Sequence, residues 1–369
     1  MEIKAFNIEQ DHIEIKGEIL KAFELALSSG EYILGQRVRG FEEAYAKYIG
    51  TRYAIGVGSG TDALRIGGLA AGLKPGDKIV TTPNTYISTV MSLTIHGIIP
   101  VFCDIEPGTY NMDPKRLEDI IKQDKDIRLC IPVHLYGQPC RMDEILDVCR
   151  RYNVMVMEDA CQAHGALYQD RVVGALGDLA VFSFYPTKNL GCYGDGGIIV
   201  TDSEEIFKKA VMLRSYGQEA KHIHVTEGFN SRLDEVQAAI LEVKLKYLDN
   251  WNKKRRHLAW LYRRELLDAP VVLPTDAPWA YHVYHLFVIR ARQRDELMRY
   301  LAERGVTTLI HYPIPIHLQE VYEHLCYRQG AFPEAEAATR EILSLPMYPS
   351  LREDEVLYIS AQIRAFYGL

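Results

Sequence analysis

The feature that most constrains the fold is the alternation of short apolar segments with amphipathic ones between residues 53 and 201. The apolar runs 130–133 and 154–157 lack a polar residue at every second position, which is typical of strands covered on both faces. Strands that alternate with helices favour a mostly parallel sheet flanked by helices. The predicted strands are 53–57, 78–82, 100–105, 128–134, 154–158, 181–184 and 197–201, and the predicted helices here begin near residue 61 and span 84–96, 113–122 and 143–152.

The two ends of the chain add further elements. Helices are predicted at residues 11–29 and 36–48, because each periodic run is followed by a glycine, Gly30 or Gly50, that can end a helix. A long periodic segment at 233–267 is predicted to connect two domains. Beyond it, a strand at 282–290 and helices at 294–304, 334–343 and 354–366 indicate a smaller α+β unit. We therefore predict a large α/β domain at 1–250 with a mostly parallel central sheet and a small C-terminal α+β domain at 251–369.

Composition narrows the classes of partner. The net charge of −7 argues against a general affinity for nucleic-acid phosphates, and no stretch reads as a signal peptide or a membrane span. The seven cysteines are scattered without CxxC pairs, so free thiols are expected. The His222/His224 and His311/His317 pairs lack convincing companions, and no metal site is expected. These features predict a cytoplasmic enzyme that binds neither nucleic acid nor membrane.

The first candidate site is the segment GVGSGTD at residues 56–62, which follows a predicted strand and opens a predicted helix. Glycines allow close approach of the backbone, and the free N–H groups and positive dipole end of a helix favour an anion, so this segment is a candidate phosphate site. Its GxGxG spacing differs from the GxGxxG of dinucleotide-binding turns, and the next acid, Asp77, lies in a turn. A glycine turn that serves only packing is the alternative.

A carboxylate and a lysine follow in two further segments. Asp159 stands at the end of the apolar run 154–157, where open α/β sheets gather ligands. Lys188 stands among a strand, a proline and glycines, and has little local structural role there. Pyridoxal phosphate requires what the three segments supply, namely a phosphate cradle, a carboxylate for the pyridine nitrogen and a lysine for the Schiff base. A solvated carboxylate and a solvated lysine are the alternatives.

These segments resemble the DegT/DnrJ/EryC1/StrS family of sugar aminotransferases, and the resemblance runs nearly from end to end. The stretches that carry it are 58–64 (GSGTDAL), 84–86 (NTY), 158–165 (EDACQAHG), 182–197 (FSFYPTKNLGCYGDGG) and 228–235 (GFNSRLDE). The resemblance implies a fold-type I, aspartate aminotransferase-like fold, pyridoxal 5'-phosphate (PLP) as cofactor, and a homodimer with shared active sites.

The resemblance also implies roles by position. Lys188 would carry the cofactor as a Schiff base, and Asp159 would bind its pyridine nitrogen. The other implied cofactor residues are Gly60, Thr61 and Ser183 at the phosphate, Gln162 at the ring hydroxyl, Tyr86 stacked on the ring, and Asn230 reaching the phosphate from the other subunit. Cys161 and Cys192 occupy places where alanine is more often expected.

Substrate choice is the finest expectation drawn from the resemblance. Residues 184–197 look more like enzymes acting at C-3 of a sugar, because C-4 enzymes tend to carry histidine where Tyr185 stands. The expected reaction converts a dTDP-3-keto-6-deoxyhexose to its 3-amino-3,6-dideoxy product by ping-pong transamination, with glutamate as amino donor. A C-4 aminotransferase acting on a nucleotide-linked 4-keto sugar is the alternative.

The expected sugar side lies in the segment IHYPIPIH at residues 310–317, which resembles the family's sugar-side loop. His311, Tyr312 and His317 are therefore candidate substrate residues together with Tyr185. Lys221 is a candidate for the diphosphate, with an ordinary solvated lysine as the alternative. A dehydratase relative would carry histidine at position 188, a nicotinamide dehydrogenase would need a better dinucleotide motif, and a non-catalytic protein on this fold is a third reading.

Overall fold

A seven-stranded sheet organises the larger part of the molecule, whose computed structural model describes residues 2–369. The strands of the chain are β1 (Tyr53–Val57), β2 (Lys78–Thr81), β3 (Ile99–Phe102), β4 (Ile127–Ile131), β5 (Met155–Asp159), β6 (Leu167–Tyr168), β7 (Arg171–Val172), β8 (Leu179–Ser183), β9 (Gly197–Thr201), β10 (Gln218–Ala220), β11 (Ile223–His224), β12 (Ala280–Tyr281), β13 (Phe287–Arg290) and β14 (Ile342–Leu345). The central sheet has the order β1-β9-β8-β5-β4-β2-β3. Only β9 is antiparallel to its neighbours in this sheet, so the predicted mostly parallel α/β architecture is confirmed.

Helices cover both faces of this sheet. They are α1 (Ile8–Asp11), α2 (Lys16–Ser28), α3 (Gln36–Ile49), α4 (Gly60–Ala70), α5 (Ser88–Thr94), α6 (Pro114–Gln123), α7 (Met142–Tyr152), α8 (Glu204–Leu213), α9 (Glu235–Leu245), α10 (Leu248–Glu265), α11 (Arg294–Ala302), α12 (Pro333–Glu341) and α13 (Glu353–Phe366). Successive strand residues point to opposite faces, so Ile79 belongs to the core that includes residues of α4, α5 and α8, whereas Val80 belongs to the core that includes residues of α3, α6, α7 and α9. Because the parallel strands run in the same direction, they all end at the same edge of the sheet. No helix among residues 2–369 is both long and apolar enough to cross a membrane.

A second core lies in the C-terminal part of the chain. It is built from buried residues between Leu258 and Ile363 and from Ile3 at the other end of the chain. Ile3 is fixed there because its N–H donates to Gly305 O at 2.7 Å and its carbonyl accepts from Thr307 N at 2.9 Å. The first residues of the chain thus belong to the C-terminal core, while the division near residue 250 stays a prediction.

Several predicted elements differ from the observed ones. The helix predicted at 11–29 begins only at Lys16. The helix predicted at 84–96 begins only at Ser88, which leaves residues 84–87 as irregular chain after Pro83. The strand predicted at 282–290 is limited to β13, because the backbone at Tyr284 has a positive φ of 45°. The helix predicted at 334–343 ends at Glu341, since the following apolar residues pair with β13 as strand β14. The predicted connector 233–267 is two helices, α9 and α10.

Candidate active site

A cavity of about 500 Å³ opens at the edge of the sheet where the parallel strands end. It brings together most of the site residues predicted from the sequence, namely Gly60, Thr61, Tyr86, Asp159, Gln162, Ser183, Tyr185, Lys188, His311 and Tyr312. Side chains that are separated by up to 252 positions along the chain therefore share one enclosed space.

One end of the cavity is the start of helix α4. Ser59 caps this helix, since its Oγ accepts a hydrogen bond from Asp62 N at 3.0 Å. The first N–H groups of a helix have no partner within the helix, and its positive dipole end attracts anions. A Cβ added to Gly60 would lie 2.6 Å from Cβ of Ser183, and one added to Gly197 would overlap the carbonyl oxygen of Ser59. Glycine at both positions is what allows the backbone to form this cradle.

Lys188 lies in the loop between β8 and β9, where its N–H donates to Tyr185 O at 2.8 Å. The Lys188 side chain is half-buried, and part of it faces the cavity, so it is partly removed from water. This desolvation lowers the pKa of the Lys188 ammonium, although Cys161 and Asp159 oppose the shift. A neutral, nucleophilic amine is therefore more accessible here than on a solvated lysine.

Asp159 is the last residue of β5 and is almost fully buried. Its Oδ2 accepts a hydrogen bond from Thr89 Oγ1 at 2.8 Å, and its Oδ1 accepts one from Cys161 N at 3.2 Å. These two donors fix the orientation of the carboxylate at the cavity wall. An unused lone pair on each oxygen can still accept a hydrogen bond from a ligand.

Gln162 and two tyrosines form the wall next to Asp159. The side-chain oxygen of Gln162 accepts from Tyr136 N at 2.7 Å, so its amide nitrogen is directed to the Tyr312 hydroxyl at 3.0 Å. Burial raises the pKa of Tyr312, which keeps this hydroxyl protonated. The ring of Tyr86 lies 5.5 Å from that of Tyr312 and is 55% exposed, which leaves one side of it free to cover a flat ligand.

Two neutral histidines also line the cavity. His311 Nδ1 lies 2.8 Å from Ser344 Oγ, and burial together with nearby Lys188 lowers the pKa of His311 to about 4. Burial, with Lys188 again contributing, lowers the pKa of His285 well below its ordinary value. Both rings are therefore uncharged at neutral pH and can bind polar ligand groups through hydrogen bonds.

Three predicted site residues lie outside this cavity. His317 is only 2% exposed, its Nε2 lies 3.1 Å from Glu336 Oε1 and its ring packs on Phe332, so its predicted contact with the sugar finds no support in this cavity and stays a prediction. Lys221 lies in the exposed turn between β10 and β11. Asn230 is also exposed, in the segment before α9.

The cavity also contains residues that the sequence did not single out. Phe6 reaches it from the N-terminal segment and stacks on His285 with ring centroids 6.5 Å apart. No local sequence pattern predicts that a residue so near the start of the chain lines the cavity. Thr89 could have been found, because the predicted helix at 84–96 would place the hydroxyls of Thr85 and Thr89 one turn apart, although the observed helix begins only at Ser88.

Three relatives are similar over nearly the whole chain. A "pleiotropic regulatory protein" of Geobacillus stearothermophilus is 43% identical, with 100% of this chain and 99% of the relative covered. The dTDP-3-amino-3,4,6-trideoxy-α-D-glucose transaminase of Streptomyces venezuelae is 42% identical, with 95% and 92% covered. The dTDP-3-amino-3,6-dideoxy-α-D-galactopyranose transaminase of Aneurinibacillus thermoaerophilus is 42% identical, with 96% of both covered.

Among solved structures, S. venezuelae DesV in complex with a ketimine intermediate superposes with a TM-score of 0.97 at 40% identity, covering 100% of this chain and 99% of that one. The fold and the lysine-containing cavity define a fold-type I aminotransferase. A model of the DegT/DnrJ/EryC1/StrS aminotransferase family matches residues 13–364, so this chain belongs to that family. The family resemblance inferred from the sequence motifs is confirmed.

Proposed function

We propose that this aminotransferase uses PLP to place an amino group on C-3 of a dTDP-linked 3-keto-6-deoxyhexose, with glutamate as the amino donor. The observation that carries the proposal is the junction of an anion cradle, a buried carboxylate and a desolvated lysine in one cavity. Two relatives that match this chain over more than nine-tenths of its length are named as transaminases of dTDP-3-amino sugars, which supports the substrate class.

The residues of the cavity fit PLP. The start of α4 provides N–H donors for a phosphate at one end, where any side chain at Gly60 or Gly197 would narrow the cradle. Asp159 is the acceptor for a protonated pyridine nitrogen, and Gln162 lies beside it for the ring hydroxyl. Lys188 provides the amine that reacts with the aldehyde. When bound, PLP supplies an electron sink that stabilises negative charge on the carbon bearing the amine.

The side chains of this chain perform the remaining tasks. With its lowered pKa, the Lys188 amine would be able to accept a proton from the carbon that bears the amine and to pass it to the cofactor. Asp159 would favour the protonated form of the ring nitrogen by accepting its hydrogen bond. Phe6, Tyr86 and Tyr312 restrict water around these groups, which strengthens the electrostatic interactions among them.

We place the sugar between Tyr185, His311 and Tyr312. All three line the cavity, and Tyr185 is three residues from Lys188. A reacting carbonyl must approach the amine within about 3–3.5 Å in the right orientation, so side chains this close decide which sugar carbon is aminated. We assign C-3 rather than C-4 because tyrosine stands at position 185, where C-4 enzymes tend to have histidine. Lys221 remains a candidate for the diphosphate.

We further propose a homodimer in which Asn230 contributes to the partner's phosphate site. Ser231 Oγ donates to Asp62 Oδ2 at 2.8 Å and accepts from Gly58 N at 3.0 Å, so this segment is held beside the cradle of its own chain. Asn230, the preceding residue, is exposed and outside its own cavity. Leu20, Phe23 and Leu27 on α2 expose 42–57% of their surface, which is the kind of apolar face that a second copy covers.

The cytoplasm is the proposed compartment, in keeping with seven unpaired cysteines.

The proposal is tested by parallel assays with PLP, glutamate and either a dTDP-3-keto or a dTDP-4-keto 6-deoxyhexose. The carbon bearing nitrogen is located by NMR, and Lys188→Ala provides the inactive control. Amination at C-3 is the expected result, and Tyr185→His should reduce the preference for the 3-keto substrate. Amination at C-4 would overturn the regiochemistry, and no amination of either sugar would favour a non-catalytic role such as the regulatory one in a relative's name.

A further inference from the structure

Three buried side chains form a continuous hydrogen-bonded chain that ends at the candidate pyridine-nitrogen partner. The hydroxyl oxygens of Thr85 and Thr89 lie 3.0 Å apart, and Thr89 Oγ1 lies 2.8 Å from Asp159 Oδ2. Thr85 is 4% exposed, Thr89 1% and Asp159 3%, so bulk water does not compete for these bonds. The chain therefore holds Asp159 from a buried part of the cavity wall, which Thr85 and Thr89 also line.

The direction of the bonds follows from the number of hydrogens. An ionised carboxylate can only accept, and a hydroxyl has a single hydrogen to donate. Thr89 must therefore donate to Asp159, which leaves its oxygen as an acceptor, and Thr85 must donate to Thr89. Hydrogen bonds arranged head to tail in this way polarise one another, so the bond to Asp159 is reinforced by Thr85.

Helix α5, which contains Thr89, also contacts the other end of the cavity. Ser88, the neighbour of Thr89 at the start of α5, has its hydroxyl oxygen 2.9 Å from Thr61 Oγ1 in the phosphate cradle. Ser88 thus bonds to one end of the candidate cofactor site, and the next residue, Thr89, bonds to the other. A displacement of α5 would move the Asp159 anchor and the cradle together.

We propose that Thr89 is a positioning residue that holds Asp159 in the orientation needed to accept a hydrogen bond from the ring nitrogen of the cofactor, and that Thr85 supports it. The inference rests on the proposed PLP function of Asp159. Thr89 and the Cys161 N–H occupy one position on each carboxylate oxygen, so the carboxylate cannot rotate without losing a bond. Without the Thr89 hydroxyl, the Cys161 N–H alone would hold Asp159, so the carboxylate would turn from the cavity more easily and the ring nitrogen would lose its proton more readily.

The test compares Thr89→Val, which removes only the hydroxyl, with Thr89→Ser, which retains it. Thr94→Val is the matched control in the same helix, because the Thr94 hydroxyl bonds to Tyr322 outside the cavity. The measurements are the thermal midpoint of the PLP-free protein, the dissociation constant of PLP by equilibrium dialysis, and the pH dependence of the visible absorption of the bound cofactor. Asp159→Asn is measured alongside.

We expect Thr89→Val to bind PLP about tenfold more weakly, the scale of one hydrogen bond to a charged group, and to shift the absorption titration towards lower pH. Thr89→Ser should restore both properties, Thr85→Val should show a smaller change, and Thr94→Val should match wild type. If Asp159→Asn is defective while Thr89→Val equals Thr94→Val in both cofactor measurements, the positioning role is wrong and the proposed function stands. If Asp159→Asn itself behaves as wild type, the role of Asp159 and the role of Thr89 both fail.

Discussion

Asn189, the residue after Lys188, has its side-chain oxygen 3.2 Å from Nδ1 of His285. The amide nitrogen of Asn189 faces Asn252 Oδ1 at 2.8 Å and Val283 O at 3.1 Å, and a backbone carbonyl can only accept. The Asn189 oxygen must therefore accept from His285, which places the imidazole proton on Nδ1. Nε2 of this neutral ring then carries a lone pair beside Lys188 in the cavity wall.

This arrangement predicts that Asn189→Asp loses stability although its shape is unchanged. The new carboxylate oxygen would face the carbonyl of Val283 without a hydrogen to share, at a cost of about 1–3 kcal/mol. Urea unfolding checks the loss, and ¹⁵N NMR of the wild type should show His285 protonated at Nδ1. Asn250→Asp, at an exposed position on α10, is the matched control and should unfold as wild type.

Lys188 is predicted to be the residue that carries PLP. Borohydride reduction followed by peptide mapping should find the cofactor on Lys188, and Lys188→Arg should lose at least about a hundredfold in turnover. Lys244 is the sharpest control, because burial lowers its pKa to about 7 although it lies outside the cavity. The Lys244→Met protein should still be labelled at Lys188; a label on Lys244 in the wild type would contradict the assignment.

Subunit exchange tests the proposed action of Asn230 in the partner's site. Lys188→Ala and Asn230→Ala proteins should each be nearly inactive, but a mixed dimer would contain one site with both residues intact. Equal mixing should therefore recover about a quarter of wild-type activity, since half of the dimers are mixed and each has one complete site. Absence of recovery after exchange has been demonstrated by mass spectrometry would indicate a site built within one chain.

Gly197→Ala is predicted to damage the cradle. The added methyl group would overlap the carbonyl of Ser59, and overpacking of this kind costs about 1–3 kcal/mol and displaces the start of α4. Both the thermal midpoint and the affinity for PLP should fall. Gly40→Ala on α3 is the control, because a Cβ there meets no atom within 4 Å and the change should be neutral or stabilising.

Lys244 should make stability depend on pH. Its Nζ donates to Gly191 O and lies 4.6 Å from the centre of the Tyr193 ring, near Cys192 and Asp11. The folded chain releases this proton near pH 7, whereas the unfolded chain retains it up to about pH 10.5. The unfolded state thus binds more protons between these values, so the contribution of Lys244 to stability rises with pH by at most about 1.4 kcal/mol per unit.

In Lys244→Met this slope should disappear, and the stability difference from wild type should change between pH 7 and 9. Urea unfolding at several pH values measures it. Lys246→Met, at an exposed position in the same region, should differ from wild type by a constant amount. A constant difference for Lys244→Met as well would show that Lys244 keeps its proton in the folded protein.

The sequence predicted the sheet because strands depend on local pattern, and the resemblance to a family predicted most of the cavity residues. Apolar runs such as 154–157 have few alternatives to a buried strand, and parallel strands bring their ends to one edge whatever the loops do. The roles assigned to Lys188 and Asp159 stay predictions, but the two side chains do share a cavity as expected.

The errors lie where distant contacts override local preference. Residues 342–345 follow a helix without a turn signal, and only pairing with β13 makes them a strand. His317 lies outside the cavity for a similar reason, because Glu336 contacts its ring and also accepts hydrogen bonds from Gly330 N and Phe332 N. Phe6 lines the cavity because nearby Ile3 packs in the C-terminal core. No local sequence pattern predicts this packing.

The attachment of Ile3 beside Gly305 also affects how the protein matures. A growing chain that has released its first 250 residues contains the cradle, Asp159 and Lys188, but it lacks His285, His311 and Tyr312, and Phe6 has nothing to hold it in place. The enclosed cavity can therefore form only after the last third of the chain has folded back onto the first residues. Full-length molecules would then bind the cofactor tightly, whereas truncated ones would not.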